Sequence, residues 1–167
     1  MTEVKVTNQA LERASREGMD EFLQVFVDAI YEAVGGELTA EAMTQLNASQ
    51  ISLLAYHILR DEVMDGGFVQ LIYNGYGPFF FRNPFAKAMR EMGLRDLYRL
   101  MNRAHKLYGA SREQLERDCS EEEFMALFEQ FPQFDELDDE FVENEEEWTA
   151  QLAHYVDEHI ENFANIV

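Results

Sequence analysis

The sequence predicts an all-α protein, folded as a single compact multi-helix domain over 1–167 with an acidic C-terminal third. Three observations support this fold class. The chain contains only three prolines, it has no alternating apolar–polar segment of strand length, and apolar residues recur at intervals of three and four. An apolar fraction of 47% and an aromatic fraction of 13% indicate a packed core rather than a disordered acidic polymer.

The first half of the chain carries four predicted helices with recognisable ends. Each begins at a polar residue, and the four starts are Thr7, Asp20, Thr39 and Ser49. Glycine ends three of them, at Gly18, Gly35-Gly36 and Asp65-Gly66-Gly67. A short helix over Phe68–Tyr73 follows, with a strand as the alternative, and an irregular stretch continues it to Phe81.

The second half is predicted to be helical as well. Asn83-Pro84 begins a helix that ends at Gly93, because proline suits the first helical position. The next helix runs from Asp96 to Tyr108, with Leu97, Met101, Ala104 and Tyr108 inward. Ser120 and Glu123 form a capping box for a helix that Pro132 closes. An acidic turn or short helix over Leu137–Val142 precedes a long C-terminal helix, whose apolar face runs through Trp148, Leu152, Tyr155, His159, Phe163 and Ile166.

The net charge of −20 is concentrated at the C-terminal end. From Glu113 onward there are 19 acidic residues and one base, whereas the first 112 residues hold 14 acids and 12 bases. The stretch Arg82–Arg112 is locally basic. A strongly anionic surface attracts cationic partners and repels nucleic acid and anionic membranes.

The segment Met64–Pro78 contains a spaced motif. Paired glycines after Asp65 allow a tight reversal between two helices. If the following residues are helical, Gln70 and Asn74 lie one turn apart on one face. They then either brace a buried turn, line a polar pocket for a small ligand, or take part in catalysis. The structural motif comprises Gly66, Gly67, Phe68, Gln70, Asn74 and Gly77.

The motif reads Asp-Gly-Gly-Phe-x-Gln-x-x-x-Asn-x-x-Gly. A predicted helix that begins at a proline follows it, and the sequence Met-Gly-Leu follows that helix. In that order it resembles the DNA-mimic-protein-type domain family of bacteria. The resemblance covers roughly residues 51–108 with motif support and runs more loosely to the C-terminus. It departs from the family at Asp65, where Asn is frequent. It implies an all-α fold and, for part of the family, a dimeric acidic protein that imitates DNA and occupies a DNA-binding regulator.

The acidic segment has a spacing suited to such imitation. On a continuous helix Asp139, Glu143 and Glu147 fall at i, i+4 and i+8, and Glu140, Glu143 and Glu147 form a second row. Carboxylates at these intervals lie about 5–6 Å apart, on the order of neighbouring phosphates. Five interleaved apolar residues would anchor the segment, namely Phe134, Leu137, Phe141, Val142 and Trp148. The predicted contact residues are Asp135, Glu136, Asp138, Asp139, Glu140, Glu143, Glu145, Glu146, Glu147, Asp157, Glu158 and Glu161.

Two alternatives to this interpretation stay open. The acidic face could serve solubility alone, although a net charge of roughly 2–8 suffices for that in a small domain. The basic stretch could also pair with the acidic third and neutralise it, within one subunit or across a dimer. Of the three adjacent residues Phe79, Phe80 and Phe81, one or two could line such a dimer interface, with core packing as the alternative.

No catalytic or metal site is predicted. His154 and His159 lie five residues apart, on different helix faces, and neither a Glu-x-x-His pair nor a His-Glu-x-x-His motif occurs. His57 and His105 are isolated on their helices. The single cysteine, Cys119, excludes an internal disulfide and suits a reducing cytoplasm. We expect no cofactor, no signal peptide and no membrane span.

The sequence therefore favours a cytoplasmic, homodimeric, non-enzymatic acidic protein. Its expected partner is a basic DNA-binding protein, either a transcriptional regulator or a nucleoid protein, whose access to DNA it blocks. Two other functions stay open at this point. One is a small-ligand-binding domain or enzyme with its site around Gln70, Asn74 and Tyr76. The other is an immunity-type inhibitor of a basic nuclease, which shares the electrostatics.

Overall fold

The computed structural model describes residues 1–116 and 120–167, with side chains described for all of these except 127 and 128. The predicted all-α class is confirmed. The helices are α1 Asn8–Glu17, α2 Met19–Ala33, α3 Ala40–Thr44, α4 Ala48–Leu71, α5 Gly77–Phe81, α6 Phe85–Glu91, α7 Arg95–Leu115, α8 Glu121–Gln130 and α9 Asp135–Glu158. The remaining elements are a π-helical turn Ile72–Tyr76, 3-10 turns Pro132–Phe134 and Ile160–Asn162, and strands β1 Lys5–Val6 and β2 Asn165–Ile166.

Packing divides the chain into two compact units. Unit 1 consists of Met1–His57 together with Glu147–Val167, and unit 2 consists of Ile58–Glu146. The net charge of the sequence is shared equally between them. Unit 1 contains 13 acidic and 3 basic residues, and unit 2 contains 20 acidic and 10 basic residues, so each has a formal charge of −10. The acidic excess is therefore a property of both units and not of the C-terminal third alone.

Side-chain caps define the first helices of unit 1. The Thr7 hydroxyl accepts a hydrogen bond from the Ala10 backbone N–H at 3.1 Å, and α1 ends before Gly18, as predicted. The Thr39 hydroxyl caps α3 in the same way, accepting from Ala42 at 3.0 Å. Helix α2 begins at Met19, one residue before the predicted start. These caps satisfy backbone donors that the helix itself leaves unpaired.

Helix α4 begins with a capping interaction that was not predicted from the sequence. It starts at Ala48 instead of Ser49, and Asn47 precedes it. The Asn47 side chain accepts from the Gln50 N–H at 2.8 Å, and the Gln50 side chain accepts from the Asn47 N–H at 3.0 Å. Gln50 also donates to the Phe163 carbonyl oxygen at 3.0 Å. Because Gln50 is buried, these bonds satisfy its amide inside unit 1.

The C-terminus of unit 1 corrects the predicted last helix. Helix α9 ends at Glu158, and the chain then forms a 3-10 turn and β2, which pairs in parallel with β1. The Asn165 N–H donates to the Val4 carbonyl oxygen at 2.8 Å. Phe163 is fully buried against Phe26, with ring centroids 6.4 Å apart, but Ile166 is 42% exposed. Pairing with the N-terminal strand replaces the final helical turns.

The paired glycines break α4 within unit 2, as predicted. Gly67 has φ 76° and ψ −176°, so the helix is interrupted there and resumes at Phe68. A Cβ atom at Gly67 would lie 2.3 Å from the Asp138 Oδ2 atom, which is closer than any real contact. Gly67 is therefore required by its positive φ and by the approach of the Asp138 carboxylate.

Aromatic packing explains the last glycine of the motif and the Phe79-Phe80-Phe81 run. A Cβ atom at Gly77 would lie 2.6 Å from Tyr108 Cε1, so only glycine admits this contact. Phe81 stacks on the Tyr108 ring with centroids 4.8 Å apart, and Phe80 packs edge-on against Phe85. Both Phe80 and Phe81 are buried in unit 2, which confirms core packing for these two residues. Phe79 is half-buried beside Phe80.

The later helices of unit 2 follow the predicted pattern with two differences. Pro84 is the N-cap of α6 and not its first helical residue, and α7 continues past Tyr108 to Leu115. Leu97, Met101, Ala104 and Tyr108 are buried, as predicted. The Ser120 hydroxyl accepts from the Glu123 N–H at 3.2 Å at the start of α8, which confirms the predicted cap. The predicted acidic turn and the C-terminal helix are one helix, α9.

Replacing Gly67 with alanine is predicted to destabilise the protein by roughly 1–3 kcal/mol, because the residue keeps a left-handed φ and its Cβ meets Asp138. The matched control is Gly109→Ala. Gly109 lies inside α7, and beyond its own stretch of helix no atom lies within 4 Å of the position a Cβ would take. Alanine there should therefore stabilise by about 0.5–1 kcal/mol. Urea unfolding of both variants measures the difference, and equal effects would contradict the assigned role of Gly67.

Candidate functional site

The predicted contact residues lie on α9 and the 3-10 turn that follows it. The i, i+4 and i+8 spacing of Asp139, Glu143 and Glu147 required a continuous helix. Helix α9 runs without a break through all three positions, so this condition is met. Four of the five interleaved apolar residues are buried and hold the segment in place, and they are Phe134, Leu137, Phe141 and Trp148. Val142, the fifth, is 52% exposed, so its predicted anchoring role was wrong.

Nine of the twelve predicted residues are exposed. Within the described parts of the chain none of these nine forms an ion pair. Five lie in unit 2, namely Asp135, Glu136, Asp139, Glu143 and Glu146, and four lie in unit 1, namely Glu147, Asp157, Glu158 and Glu161. We call the unit 2 residues Glu136, Asp139, Glu143 and Glu146 the acidic stripe.

The acidic stripe follows one face of α9. Its members are spaced by three, four and three residues, which places them on one side of a helix. On an α-helix the Cβ atoms of residues at these intervals lie about 5–6 Å apart, and the stripe rises by about 15 Å along the helix axis. Like charges at these intervals destabilise a helix by a few tenths of a kcal/mol per pair. Burial of the opposite apolar face offsets this cost.

Asp138 has a structural role that local sequence does not reveal. Its Oδ1 atom accepts the backbone N–H of Phe68 at 2.9 Å, where α4 resumes after Gly67. The carboxylate is therefore an N-cap supplied by a residue 70 positions away. Burial raises the pKa of Asp138 to about 6, the Phe68 N–H opposes this shift, and the neighbouring Asp135 and Asp139 reinforce it. Asp138 holds the fold of unit 2 and is not a free contact residue.

Glu145 and Glu140 are also used inside unit 2. The Glu145 carboxylate lies 3.7 Å from the Arg60 guanidinium, and the two side chains are only 15% and 17% exposed. Glu140 pairs with Arg103 on α7. Three of the predicted contact residues therefore belong to the internal structure of unit 2.

Neutralisation of the acidic face by the basic stretch is partial. Arg103 reaches Glu140, but other bases of the stretch pair locally. Arg99 lies 3.2 Å from Asp96, Lys87 lies 3.9 Å from Glu91, and the Arg90 guanidinium lies 5.1 Å from the centre of the Tyr98 ring. In the described parts of the chain, none of these local pairs involves the acidic stripe.

The amides of the motif bind a carboxylate. Gln70 and Asn74 both donate to the Glu62 Oε2 atom at 2.9 Å, and Gln70 also donates to Asp65 Oδ2 at 3.0 Å. The two amides therefore brace the break in α4 through the Glu62 side chain, at a partly exposed position and not in the buried turn that the sequence predicted. Gly75, with φ 91°, reverses the chain in the π-helical turn that follows.

His105 and His159 each pack against a different aromatic ring. His105 stacks on Phe81 with ring centroids 5.7 Å apart, and His159 stacks on Tyr155 at 4.1 Å. Among residues 1–116 and 120–167, no three His, Cys, Asp or Glu side chains converge as a set of metal ligands.

The interpretation of Cys119 concerns a residue outside the described ranges. None of the helices searched in those ranges combines the length and apolarity needed to cross a bilayer.

Comparison with known proteins supports the resemblance seen in the motif. A family model described as DMP19-like protein matches residues 44–159, which include the glycine motif and most of the acidic residues. The chain belongs to the DMP19-like protein family. It is 33% identical over 127 residues to the DNA mimic protein DMP19 of Neisseria meningitidis serogroup B, covering 75% of this chain and 77% of that protein. The DMP19-like family is not a class of enzymes.

Asp138 gives a pH-dependent prediction. Its pKa is raised in the folded protein, so its contribution to stability is complete below about pH 4 and is lost as the pH rises through 6. Asp138→Asn keeps an acceptor for Phe68 without the buried charge. Between pH 4.5 and pH 7.5 the wild type should lose on the order of 1 kcal/mol relative to this variant, after allowance for partial exposure.

Urea unfolding of wild type and Asp138→Asn at matched pH values measures this difference, because the repulsion among the other carboxylates is common to both proteins. Asp138→Ala serves as the second variant and should be less stable than Asp138→Asn by about 0.5–2 kcal/mol at every pH, since it removes the cap and neither variant titrates at this position. A difference between wild type and Asp138→Asn that does not change with pH would refute the assignment.

The two classes of carboxylate on α9 are predicted to differ in their effect on stability. Glu145→Gln should destabilise by about 1–3 kcal/mol because it removes the negative charge 3.7 Å from the poorly exposed Arg60 guanidinium. Glu143→Gln should change the free energy of unfolding by less than about 0.5 kcal/mol, because that side chain is exposed. Thermal or urea unfolding checks both, and an equal loss in the two variants would contradict the division.

Proposed function

We propose that this protein is a DNA mimic that binds a basic DNA-binding protein, a transcriptional regulator or a nucleoid protein, and blocks its access to DNA. The observation that carries the proposal is the acidic stripe. It presents four exposed carboxylates on one face of a helix, without basic partners in the described chain. The name of its relative, DNA mimic protein, supports the same function.

The spacing of the stripe supports mimicry more than general solubility. The Cβ atoms of neighbouring stripe residues lie about 5–6 Å apart on one face, and the phosphates of one B-DNA strand are separated by an axial rise of about 3.4 Å, so the two spacings are of the same order. A basic surface shaped to contact several phosphates of one strand can therefore contact several members of the stripe. The formal charge of each unit, −10, also exceeds the roughly 2–8 that solubility requires.

The proposed mechanism is competitive occupancy of the partner's DNA-binding face. Long-range attraction between the anionic protein and a basic partner accelerates their association, and added salt weakens it steeply. The proposal extends to a homodimer, as the family resemblance implies for part of the family, and to a reducing cytoplasm, which the single cysteine suits. It places direct contact on the exposed residues of the predicted set, and assigns Asp138, Glu140 and Glu145 to structural support.

The alternative site around Gln70 and Asn74 receives less support. Both amides already donate to Glu62, so these donors are engaged inside unit 2 and not directed at a ligand. An immunity-type inhibitor of a basic nuclease would use the same acidic surface. DNA mimicry and nuclease inhibition therefore differ in the partner protein and not in the acidic surface that binds it. Identifying the partner protein separates the two functions.

The decisive experiment is affinity capture of the tagged protein's partner from its native lysate at low salt, followed by elution in a salt gradient. We expect one DNA-binding protein, released at moderate salt and competed by its own operator DNA. Capture of a nuclease would favour the immunity-type function instead. A diffuse set of basic proteins would reduce the acidic stripe to a solubility feature.

Charge reversal tests the stripe itself. The variant Asp139→Lys, Glu143→Lys, Glu146→Lys should weaken binding of the captured protein at least tenfold, because it replaces three attractions with repulsions. The matched control reverses three exposed acids of unit 1, Glu32→Lys, Glu37→Lys, Glu41→Lys, and has the same net charge. Titration calorimetry at two salt concentrations measures both. Equal weakening by the two variants would show dependence on total charge and not on the stripe.

A further inference from the structure

Unit 1 contains a small open cavity beside one of the predicted contact residues. Its volume is about 190 Å³, and Asp157 of α9 is part of its lining. The turn between α1 and α2 forms one side of the cavity, and α9 forms the other. The residues that define its character are Met19, Phe22, Ala153, His154 and Asp157. Pockets for whole small molecules measure about 300–1,000 Å³, so this cavity suits a single side chain.

The cavity combines an apolar base with a charged edge. Phe22 and Ala153 are buried, whereas Met19 is 44% exposed. The Asp157 carboxylate is exposed and forms no ion pair within the described chain. Unit 1 as a whole has a formal charge of −10. A side chain with an apolar stem and a cationic end matches this arrangement, because the stem covers apolar surface while the charged end meets the carboxylate.

We propose that this cavity receives one arginine side chain of the basic protein partner, with its guanidinium bound to Asp157 and its stem against Met19 and Phe22. This inference rests on the proposed function, which supplies a basic partner. Arginine fits better than lysine because its guanidinium is more weakly hydrated, binds a carboxylate with two parallel hydrogen bonds and stacks on aromatic rings. Arginine is also enriched among the residues that dominate interface energies.

The cavity would add to the interface a contact that does not depend on ionic strength, which the acidic stripe lacks. Exposed charges separated from their partners by solvent are screened by salt, and each contributes little. A side chain inserted into a cavity is partly removed from water, and its apolar contacts do not depend on ionic strength. An arginine anchor would therefore contribute binding energy that persists at high salt. It would also select one partner among many basic proteins.

The test uses N-acetyl-L-arginine amide as the probe and the full chain as the receptor. In an NMR titration at moderate salt, the signals of Met19, Phe22, Ala153 and His154 should shift together with one dissociation constant. N-acetyl-L-citrulline amide has nearly the same shape without the charge and should bind at least fivefold more weakly. N-acetyl-L-lysine amide should bind at least threefold more weakly.

Two variants locate the site of binding. Asp157→Asn removes the charge with little change of shape and should weaken the arginine probe at least threefold. Glu158→Gln is the matched control, because Glu158 is an exposed neighbour on the same helix that does not line the cavity. It should leave the affinity within a factor of 1.5, and both variants should unfold at the wild-type temperature.

Three results would overturn the inference. Shifts spread evenly over the acidic residues of both units would indicate counterion binding only. Equal affinity for arginine and citrulline would show an apolar cavity that does not select a cation. Tighter binding of N-acetyl-L-phenylalanine amide would assign the cavity to an aromatic side chain. The titration leaves the acidic stripe unchanged and the charge-reversal experiment leaves the cavity unchanged, so a failure of one is distinguishable from a failure of the other.

Discussion

The hydrogen bond from the Phe68 backbone to Asp138 is the interaction on which the arrangement of unit 2 depends. It satisfies the backbone N–H of Phe68, which is the first donor after the break in α4. The Asp138 carboxylate approaches position 67 so closely that only glycine fits there. It also fixes which side of α9 faces inward. Because Asp138 and Phe141 point to the interior, residues 136, 139, 143 and 146 are left on the outer face. One contact thus links the helix break at Gly67 to the side of α9 that carries the anionic surface.

Helix α9 assigns its carboxylates to two different tasks. Asp138, Glu140 and Glu145 bind a backbone N–H and two arginines of unit 2, and in doing so they replace part of the hydration they lose. The exposed carboxylates remain hydrated and repel one another. This repulsion is tolerated because Phe134, Leu137, Phe141 and Trp148 bury the opposite face. The acidic run therefore contains two interleaved sets of carboxylates. One set stabilises unit 2 through its contacts, and the other stays exposed to solvent.

Much of the fold was predictable because its signals are local. The caps at Thr7 and Thr39, the break at Gly67 and the buried face of α7 all follow from residues within a few positions of one another. The misses involve distant partners. The C-terminal strand depends on Val4 and Val6, the capping role of Asp138 depends on Phe68, and the exposure of Val142 depends on which neighbours cover α9. None of these has a signature in the flanking sequence, and the cavity beside Asp157 needs residues from both ends of the chain.

The continuity of α9 has a consequence for molecular recognition. The phosphate backbone of DNA bends and changes its groove width, so a protein that binds it must select or impose one shape. The carboxylates of the acidic stripe are attached to a single unbroken helix, and their axial positions are set by its rise of about 1.5 Å per residue. A partner that adapts to deformable DNA would meet a preorganised pattern of charge here. Preorganisation lowers the entropic cost of association, and it favours a partner surface whose spacing already matches.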